Sequence, residues 1–181
     1  MVTVNFELKD FENLAGRKFS KEQLEEAVLY AKAELESFNE GKVAVEISDT
    51  NRPDLWSVEG IARAIKPFVV KGGIARIPKM KNSGLQVKIE KSVKEVRPLT
   101  VCGVVENIQV DEALLVSLIQ MQEKISNTFG RKRKEAAIGI YDFDKIRGNI
   151  KYYGAEPRKV KFVPLEFENE LDLDEILELH P

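Results

Sequence analysis

The chain has 181 residues, of which 43% are hydrophobic, so it can bury one or two cores and is too apolar to be disordered. Its 28 lysines and arginines against 30 aspartates and glutamates leave a net charge of -2, which excludes a uniformly polybasic nucleic-acid binder. The single cysteine, Cys102, excludes an internal disulfide and a cysteine-rich zinc site. The single histidine, His180, excludes a multi-histidine metal site, and because it lies next to the C-terminus we expect no histidine-based catalytic triad.

The first forty residues predict a strand followed by two helices. Apolar and polar residues alternate from Val2 to Phe6, which indicates a short strand, and a short helix is predicted over 10–14. Ser20 and Gln23 have the spacing of a capping box, which predicts the start of a second helix. The apolar residues that follow keep a helical spacing, so this helix is predicted to continue to about Phe38.

The central stretch predicts a strand, a tight turn and a helix in direct succession. Residues 43–47 alternate like a half-buried strand, and the polar run Asn51-Arg52-Pro53-Asp54 then favours a turn, because a residue before proline avoids the helical region. Asp54 is predicted to cap the helix that follows, with Ser57 as the alternative cap. The helix itself is predicted to bury an apolar face that extends from Val58 to Phe68.

The polar side chains of this turn have a structural and a functional interpretation. Asn51 and Asp54 can close the turn through hydrogen bonds to the backbone, and Arg52 can pair with Asp49 or Glu59. The same side chains can instead bind a ligand. We favour the structural interpretation, since asparagine and aspartate commonly fill such positions in turns.

A change of composition divides the chain into two predicted units. Residues 71–84 contain glycine, proline and asparagine together with several basic residues, which is typical of a linker. The predicted domains are therefore 1–70, the basic linker 71–84, and 85–181. The linker is either a solvated connector or an RNA contact. Strands that alternate with one strong helix in the second half predict an α+β fold, made of two small mixed α/β units.

The second unit is predicted to combine short strands with one long helix. The strands are expected at 85–89, 100–105, 136–141 and 150–153, and the small residues at 102 and 103 suggest close packing in a sheet. Asp111 is predicted to cap the long helix, which we expect to end with Gly130 as its C-cap. An acidic segment with a short apolar pattern near the C-terminus predicts a last helix.

Two further clusters in the second unit have candidate chemistry. The basic run Arg131-Lys132-Arg133-Lys134 follows the long helix, where cations favour the helix dipole. The run is either a solvated face or a contact with RNA phosphates, and we favour the solvated face. Asp142 and Asp144 lie on one side of an extended backbone, a spacing that suits acid–base chemistry or a divalent metal. Because nothing nearby completes such a site, we interpret this pair as a turn or helix cap, and we predict no catalytic residue and no metal site.

Several segments together resemble one known family. The run Asn51-Arg52-Pro53-Asp54-Leu55, followed by Ser57-Val58-Glu59-Gly60-Ile61-Ala62-Arg63, resembles the signature near the start of the phenylalanyl-tRNA synthetase beta subunit, in its archaeal and eukaryotic form. Further segments resemble the same family in the same order, and these are 16–20, 29–35, 120–125, 128–134 and 137–146.

This resemblance implies a function within a larger enzyme. In that family the beta subunit forms a heterotetramer with an alpha subunit, which carries the site for phenylalanine, ATP and magnesium. The beta subunit carries an editing domain that hydrolyses tyrosine wrongly attached to phenylalanine tRNA. The resemblance thus implies that residues 1–70 are the first beta-subunit domain and that residues 85–181 begin the editing domain, which would be incomplete here.

The expected role is therefore to support phenylalanyl-tRNA aminoacylation and editing in the full enzyme, with no cofactor in this chain. The expected partners are the alpha subunit and phenylalanine tRNA. The alternatives are a free-standing tRNA-binding module, a free-standing hydrolase of mischarged tRNA or an interaction scaffold. No apolar run is long enough to span a bilayer, and the N-terminus lacks the form of a signal peptide, so we expect a cytoplasmic protein without membrane contact.

Overall fold

The computed structural model describes residues 2–49, 51–73 and 79–179, and these residues form two compact units. The first unit comprises Met1–Met80 together with Glu106–Tyr141, and the second comprises Lys81–Val105 together with Asp142–Pro181. This division differs from the predicted domains 1–70 and 85–181, because residues 106–141 pack with the N-terminal residues. The combination of helices with antiparallel and short strands agrees with the predicted α+β class.

A three-stranded antiparallel sheet forms one layer of the first unit. Its strands are β1 (Val2–Glu7), β2 (Ala33–Asn39) and β3 (Lys42–Ile47), and β3 lies in the centre. Val4 pairs with Val45 on one side of β3, and Leu35 pairs with Val45 on the other. The predicted strands at 2–6 and 43–47 are therefore confirmed.

Three helices cover this sheet and complete the core. They are α1 (Leu8–Ala15), α2 (Lys21–Leu29) and α3 (Val58–Val69). The predicted capping box of α2 is present, because the Ser20 hydroxyl accepts from the Gln23 amide at 3.3 Å and the Gln23 side chain accepts from the Ser20 amide at 3.1 Å. The largest side chain in the core is Trp56, which is only 1% exposed.

The predicted continuation of the second helix to Phe38 is wrong. The helix ends at Leu29, and residues 33–39 form β2, which pairs with β3. A bulge explains the misleading pattern, since Glu36 has no partner between the paired residues Leu35 and Ser37. One extra residue shifts the two-residue alternation of a strand, so that the apolar positions imitate the spacing of a helix.

The apolar face of α3 is confirmed except at its end. Val58, Ile61, Ala62 and Ile65 are buried, whereas Phe68 is 61% exposed. The Phe68 ring stacks on Tyr30, with centroids 4.5 Å apart and an interplanar angle of 4°. The last turn of α3 therefore extends beyond the core that its first turns fill.

Helix α4 (Glu112–Asn127) belongs to the first unit. As predicted, Asp111 caps it, because its carboxylate accepts from the Leu114 amide at 2.9 Å. The helix is fixed to β1 by the Gln120 side-chain amide, which donates to the Asn5 carbonyl at 3.0 Å and accepts from the Asn5 amide at 3.4 Å. The Ser117 hydroxyl donates to Glu59 at the start of α3, at 2.7 Å.

The second unit contains two small two-stranded sheets. Strand β4 (Val87–Ile89) runs parallel to β5 (Ile150–Tyr152), and β6 (Lys161–Phe162) is antiparallel to β7 (Leu171–Asp172). Helix α5 (Leu173–Leu179) is the predicted C-terminal helix. Among the described residues, no helix is long and apolar enough to cross a membrane.

Two predicted strands of the C-terminal half are absent from the structure as described. Residues 100–105 and 136–141 form no regular structure, and most of their side chains are exposed. The prediction of close packing at Cys102 and Gly103 is also wrong. Cys102 is exposed, and a Cβ built at Gly103 would have no neighbouring atom within 4 Å. Both segments have β-forming sequences, but a strand needs a partner for its backbone hydrogen bonds.

Candidate nucleic-acid interface

The basic run 131–134, interpreted as either a solvated face or an RNA contact, forms a left-handed turn directly after α4. Three consecutive residues have positive φ, namely Arg131 at 46°, Lys132 at 57° and Arg133 at 65°. This conformation costs a non-glycine residue about 1–2 kcal/mol, so surrounding contacts must hold it in place. The Arg131 amide donates to the Thr128 carbonyl and the Arg133 amide donates to the Ser126 carbonyl, both at 2.9 Å.

Gly130 makes this turn possible because two other backbone segments approach it closely. A Cβ at this position would lie 2.2 Å from the Ala136 carbonyl oxygen and 2.4 Å from the Ser126 carbonyl oxygen. Gly130 is therefore not the predicted C-cap of the helix, since the cap is Thr128, whose hydroxyl donates to the Lys124 carbonyl at 2.6 Å. Glycine is needed here because two backbone segments cross with no space for a side chain.

All four basic side chains of the turn are exposed. The Arg131 guanidinium lies 3.7 Å from Glu135, and the Arg133 guanidinium forms an ion pair with Glu123. Exposed ion pairs of this kind contribute at most about 1 kcal/mol each, so both arginines can exchange a carboxylate for a phosphate at little cost. The turn therefore presents a compact cationic surface that can bind a nucleic-acid backbone.

The turn is anchored to the core of the first unit. The Phe129 ring packs against Trp56, with centroids 5.5 Å apart, and Ile125 packs on the buried cluster. Between them lies Ser126, which is fully buried. Burial lowers the pKa of Lys124, which donates to the Gln120 side chain at 2.8 Å and so points back along the helix.

The predicted signature turn is held by a different ion pair from those expected. Arg52 donates to both carboxylate oxygens of Asp54, each at 2.8 Å, whereas Asp49 and Glu59 were the predicted partners. Asp54 belongs to a short 3-10 helix, Pro53–Leu55, and does not cap α3. The alternative cap is confirmed, because the Ser57 hydroxyl accepts from the Gly60 amide at 3.2 Å.

The geometry of this turn is that of a closed structural element. Hydrogen bonds from Arg52 lower the pKa of Asp54, which opposes the effect of partial burial. Gly60 lies so close to this turn that a Cβ would be 1.7 Å from the Asp54 carbonyl oxygen. Asn51, Arg52 and Asp54 are exposed, so their polar atoms also remain accessible to a partner.

The remaining candidate residues are spread over other parts of the chain. Asp142 accepts from the Asp144 amide at 3.1 Å and caps the 3-10 helix Phe143–Lys145, which agrees with the interpretation as a cap. His180 and residues 74–78 of the basic linker lie outside the described residues. Over residues 2–49, 51–73 and 79–179, no group of three histidine, cysteine, aspartate or glutamate side chains is arranged to hold a metal ion.

A groove that the sequence did not predict lies in the first unit. It has a volume of about 720 Å³ and opens between β1 and the first turns of α4. Its carboxylates come from positions 7, 10, 111 and 112. The sequence indicates this groove only in part. It predicts Asp111 as a helix cap, but the approach of Asp111 to Asp10 depends on where α4 packs.

Comparison with known proteins identifies the relatives of this chain. A phenylalanine–tRNA ligase beta subunit from Pyrococcus horikoshii is 48% identical over 176 residues, which cover 94% of this chain and 31% of that protein. The corresponding subunit from Methanocella arvoryzae is 36% identical and covers 100% of this chain and 33% of its own length. The crystal structure of an N-terminal fragment of the phenylalanyl-tRNA synthetase beta subunit from Pyrococcus horikoshii superposes with a TM-score of 0.90.

The chain is homologous to the N-terminal part of phenylalanine–tRNA ligase beta subunits. The superposition covers 98% of this chain and 52% of the crystallised fragment, at 44% identity. The chain spans about a third of the length of the curated beta subunits that it matches. No family model matches the chain.

Proposed function

We propose that this chain acts as the N-terminal region of a phenylalanine–tRNA ligase beta subunit and supports aminoacylation of phenylalanine tRNA in the complete enzyme. The observation that carries the proposal is the agreement of 98% of the backbone with an N-terminal beta-subunit fragment, at a TM-score of 0.90 and 44% identity. Similarity of this extent runs through both compact units and is not confined to a short motif.

The proposed role is architectural rather than catalytic. We propose that the alpha subunit pairs with the beta subunit in a heterotetramer in the cytoplasm, and that ATP and magnesium bind in the alpha subunit. The second compact unit is the proposed start of a domain that hydrolyses tyrosyl-tRNA(Phe). Its exposed apolar segment at 100–105 supports this proposal, since such a segment is suited to pair with further strands.

The basic turn at 131–134 is the proposed contact with the tRNA backbone. It is exposed, compact and anchored through Phe129 to Trp56, so a phosphate bound there would be held in a fixed position relative to the first unit. Fixed placement matters for an enzyme whose substrate must reach a distant site, because small displacements at a catalytic centre are costly.

A chimeric enzyme tests the proposed function. The corresponding region of the Pyrococcus horikoshii beta subunit is replaced by this chain, and the chimera is co-purified with the alpha subunit of the same organism. We expect assembly, phenylalanylation of tRNA and hydrolysis of tyrosyl-tRNA(Phe) within about tenfold of the parent enzyme. Failure to assemble, with a chimera that melts cooperatively, would contradict the proposal.

A pair of matched variants tests the tRNA contact in that chimera. Replacing Arg131 and Arg133 with glutamine removes two cations, and we expect tRNA to bind about 5- to 30-fold more weakly, with a shallower dependence on salt. The control replaces Arg158 and Lys159, which are also exposed and paired with carboxylates. Equal losses in both variants would show that general charge, and not the turn, attracts the tRNA.

The alternative function is a free-standing tRNA-binding module, which the exposed basic turn also favours. It predicts that the isolated chain binds phenylalanine tRNA with a steep salt dependence. It also predicts that this binding does not contribute to the activity of the chimera. Hydrolysis of tyrosyl-tRNA(Phe) by the isolated chain would instead establish a complete pocket within these residues. Assembly of the chimera without tRNA binding by the isolated chain favours the architectural role.

A further inference from the structure

The groove of the first unit has an apolar floor with polar contacts at its ends. Phe6, Val43, Val58 and Val116 contribute apolar lining, and the volume of about 720 Å³ lies in the range of pockets that bind ligands or several side chains. The Gln120 side chain bridges the outer edge of β1 at Asn5. Because this bridge and the Ser117–Glu59 hydrogen bond fix α4, the groove is preformed.

The charge around this floor is strongly one-sided. The lining carboxylates are those of Glu7, Asp10, Asp111 and Glu112, whereas Lys42 is the one cationic residue among the described residues of the lining. The carboxylates come from β1, α1 and the start of α4, so they surround the floor from more than one side. A negative rim around an apolar floor attracts ligands that combine cationic and apolar groups.

Asp10 lies close to other negative charges of the first unit. Burial raises the pKa of Asp10, and the nearby negative charges of Glu59 and Asp111 raise it further. Asp111 cannot turn away, because its carboxylate caps α4. A cation entering the groove would relieve this repulsion, whereas an anion would increase it.

We infer that this groove binds a partner polypeptide segment in which lysine or arginine side chains alternate with apolar side chains. The apolar groups would cover Phe6 and Val116, and the cations would reach the separate carboxylates on α1 and α4. A peptide suits the groove better than a small amine, because only a longer ligand reaches carboxylates on different elements while it also covers the floor. This inference is independent of the proposed role in the ligase.

Binding of a defined probe to the 181-residue chain tests the inference. The probe is a hexapeptide of alternating leucine and lysine, and the comparison peptide alternates leucine and glutamate. We expect the cationic peptide to bind at least about tenfold more tightly and to shift NMR resonances of residues 5–10 and 111–117. Equal affinity for the two peptides, or shifts confined to other residues, would overturn the inference.

Matched variants separate the groove from the overall acidity of the chain. The double variant Asp10→Asn with Glu112→Gln removes two rim charges and keeps the Asp111 cap, and we expect about fivefold or greater loss of affinity for the cationic peptide. The control Glu25→Gln with Glu26→Gln removes two exposed charges of α2 outside the groove. An equal loss in the control, or butylamine binding as tightly as the peptide, would overturn the inference.

Discussion

Replacing Gly60 with alanine gives a decisive test of how the signature turn is built. In an ordinary helix this change stabilises a protein by about 1 kcal/mol, because alanine has the higher helix propensity. Here the new Cβ would lie 1.7 Å from the Asp54 carbonyl oxygen and 2.8 Å from the Asp54 carbonyl carbon. Both are backbone atoms of the 3-10 turn, so the contact can be relieved only by moving the turn or the start of α3.

The expected cost follows from these two opposing effects. Overpacking of a rigid site costs about 3 kcal/mol, which exceeds the gain in propensity and leaves a net loss of about 2 kcal/mol. For a unit of this size that loss lowers the melting temperature by about 8 °C. Urea unfolding followed by fluorescence measures it directly, because Trp56 is the only tryptophan in the chain and lies in the core beside this turn.

Gly103 provides the matched control for this experiment. A Cβ built there meets no atom within 4 Å, and its φ is not positive, so alanine should change the stability by less than about 0.5 kcal/mol. If the Gly60 variant is as stable as the parent or more stable, the close approach of α3 to the turn is not part of the folded structure, and the reasoning is refuted.

Three further substitutions test other parts of the first unit. Ser57→Ala removes the acceptor of the Gly60 amide and should lower the free energy of unfolding by about 1 kcal/mol. Ser57→Thr keeps a hydroxyl acceptor and should retain most of the parent's stability. Asp10→Asn should stabilise the chain by less than about 1 kcal/mol at neutral pH, because a raised pKa makes the carboxylate unfavourable in the folded state. That gain should disappear as the pH falls through the folded pKa to about 3, where both states bind the proton, and a pH-independent gain would contradict the cause assigned to it. Lys132→Gly should raise the free energy of unfolding by about 1 kcal/mol by relieving a positive φ of 57°, and a loss would show that the turn carries no strain.

Local sequence signals predicted the starts of the helices well. The capping box at Ser20, the cap at Asp111 and the alternative cap at Ser57 are all present, because each depends only on residues within one turn of the chain. The first choice of cap, Asp54, is wrong because α3 begins only at Val58 and Asp54 lies in the 3-10 helix before it. Both candidate caps are present in the sequence, which does not show that a 3-10 turn separates Asp54 from the helix.

Strands were predicted less well because their stability depends on distant partners. Residues 43–47 become the central strand, with neighbours on both sides, and the alternation there is clear. The bulge at Glu36 disguised β2 as a continuation of the preceding helix. Residues 100–105 have the composition of a strand and still form none, since no partner strand is present among the described residues.

The exposed end of α3 shows a different limit of periodicity. Helical spacing correctly placed Phe68 on the same face as Ile65, but spacing does not reveal where the core ends. Phe68 stacks on Tyr30, which is itself 51% exposed. An apolar stripe predicts which side of a helix faces inward, whereas the depth of burial depends on the elements that cover it.

The position of α4 links the basic turn to the N-terminal signature in a way that composition alone does not indicate. The charges of residues 131–134 are visible in the sequence, but their left-handed backbone and the contact between Phe129 and Trp56 exist only once α4 has docked. Trp56 in turn follows the 3-10 helix that Gly60 touches. The position of the basic turn therefore depends on the packing of the signature turn. Gly60→Ala should weaken tRNA binding by the chimera even though no charge is removed. Unchanged tRNA affinity in a destabilised Gly60 variant would show instead that the basic turn acts independently of the core beneath it.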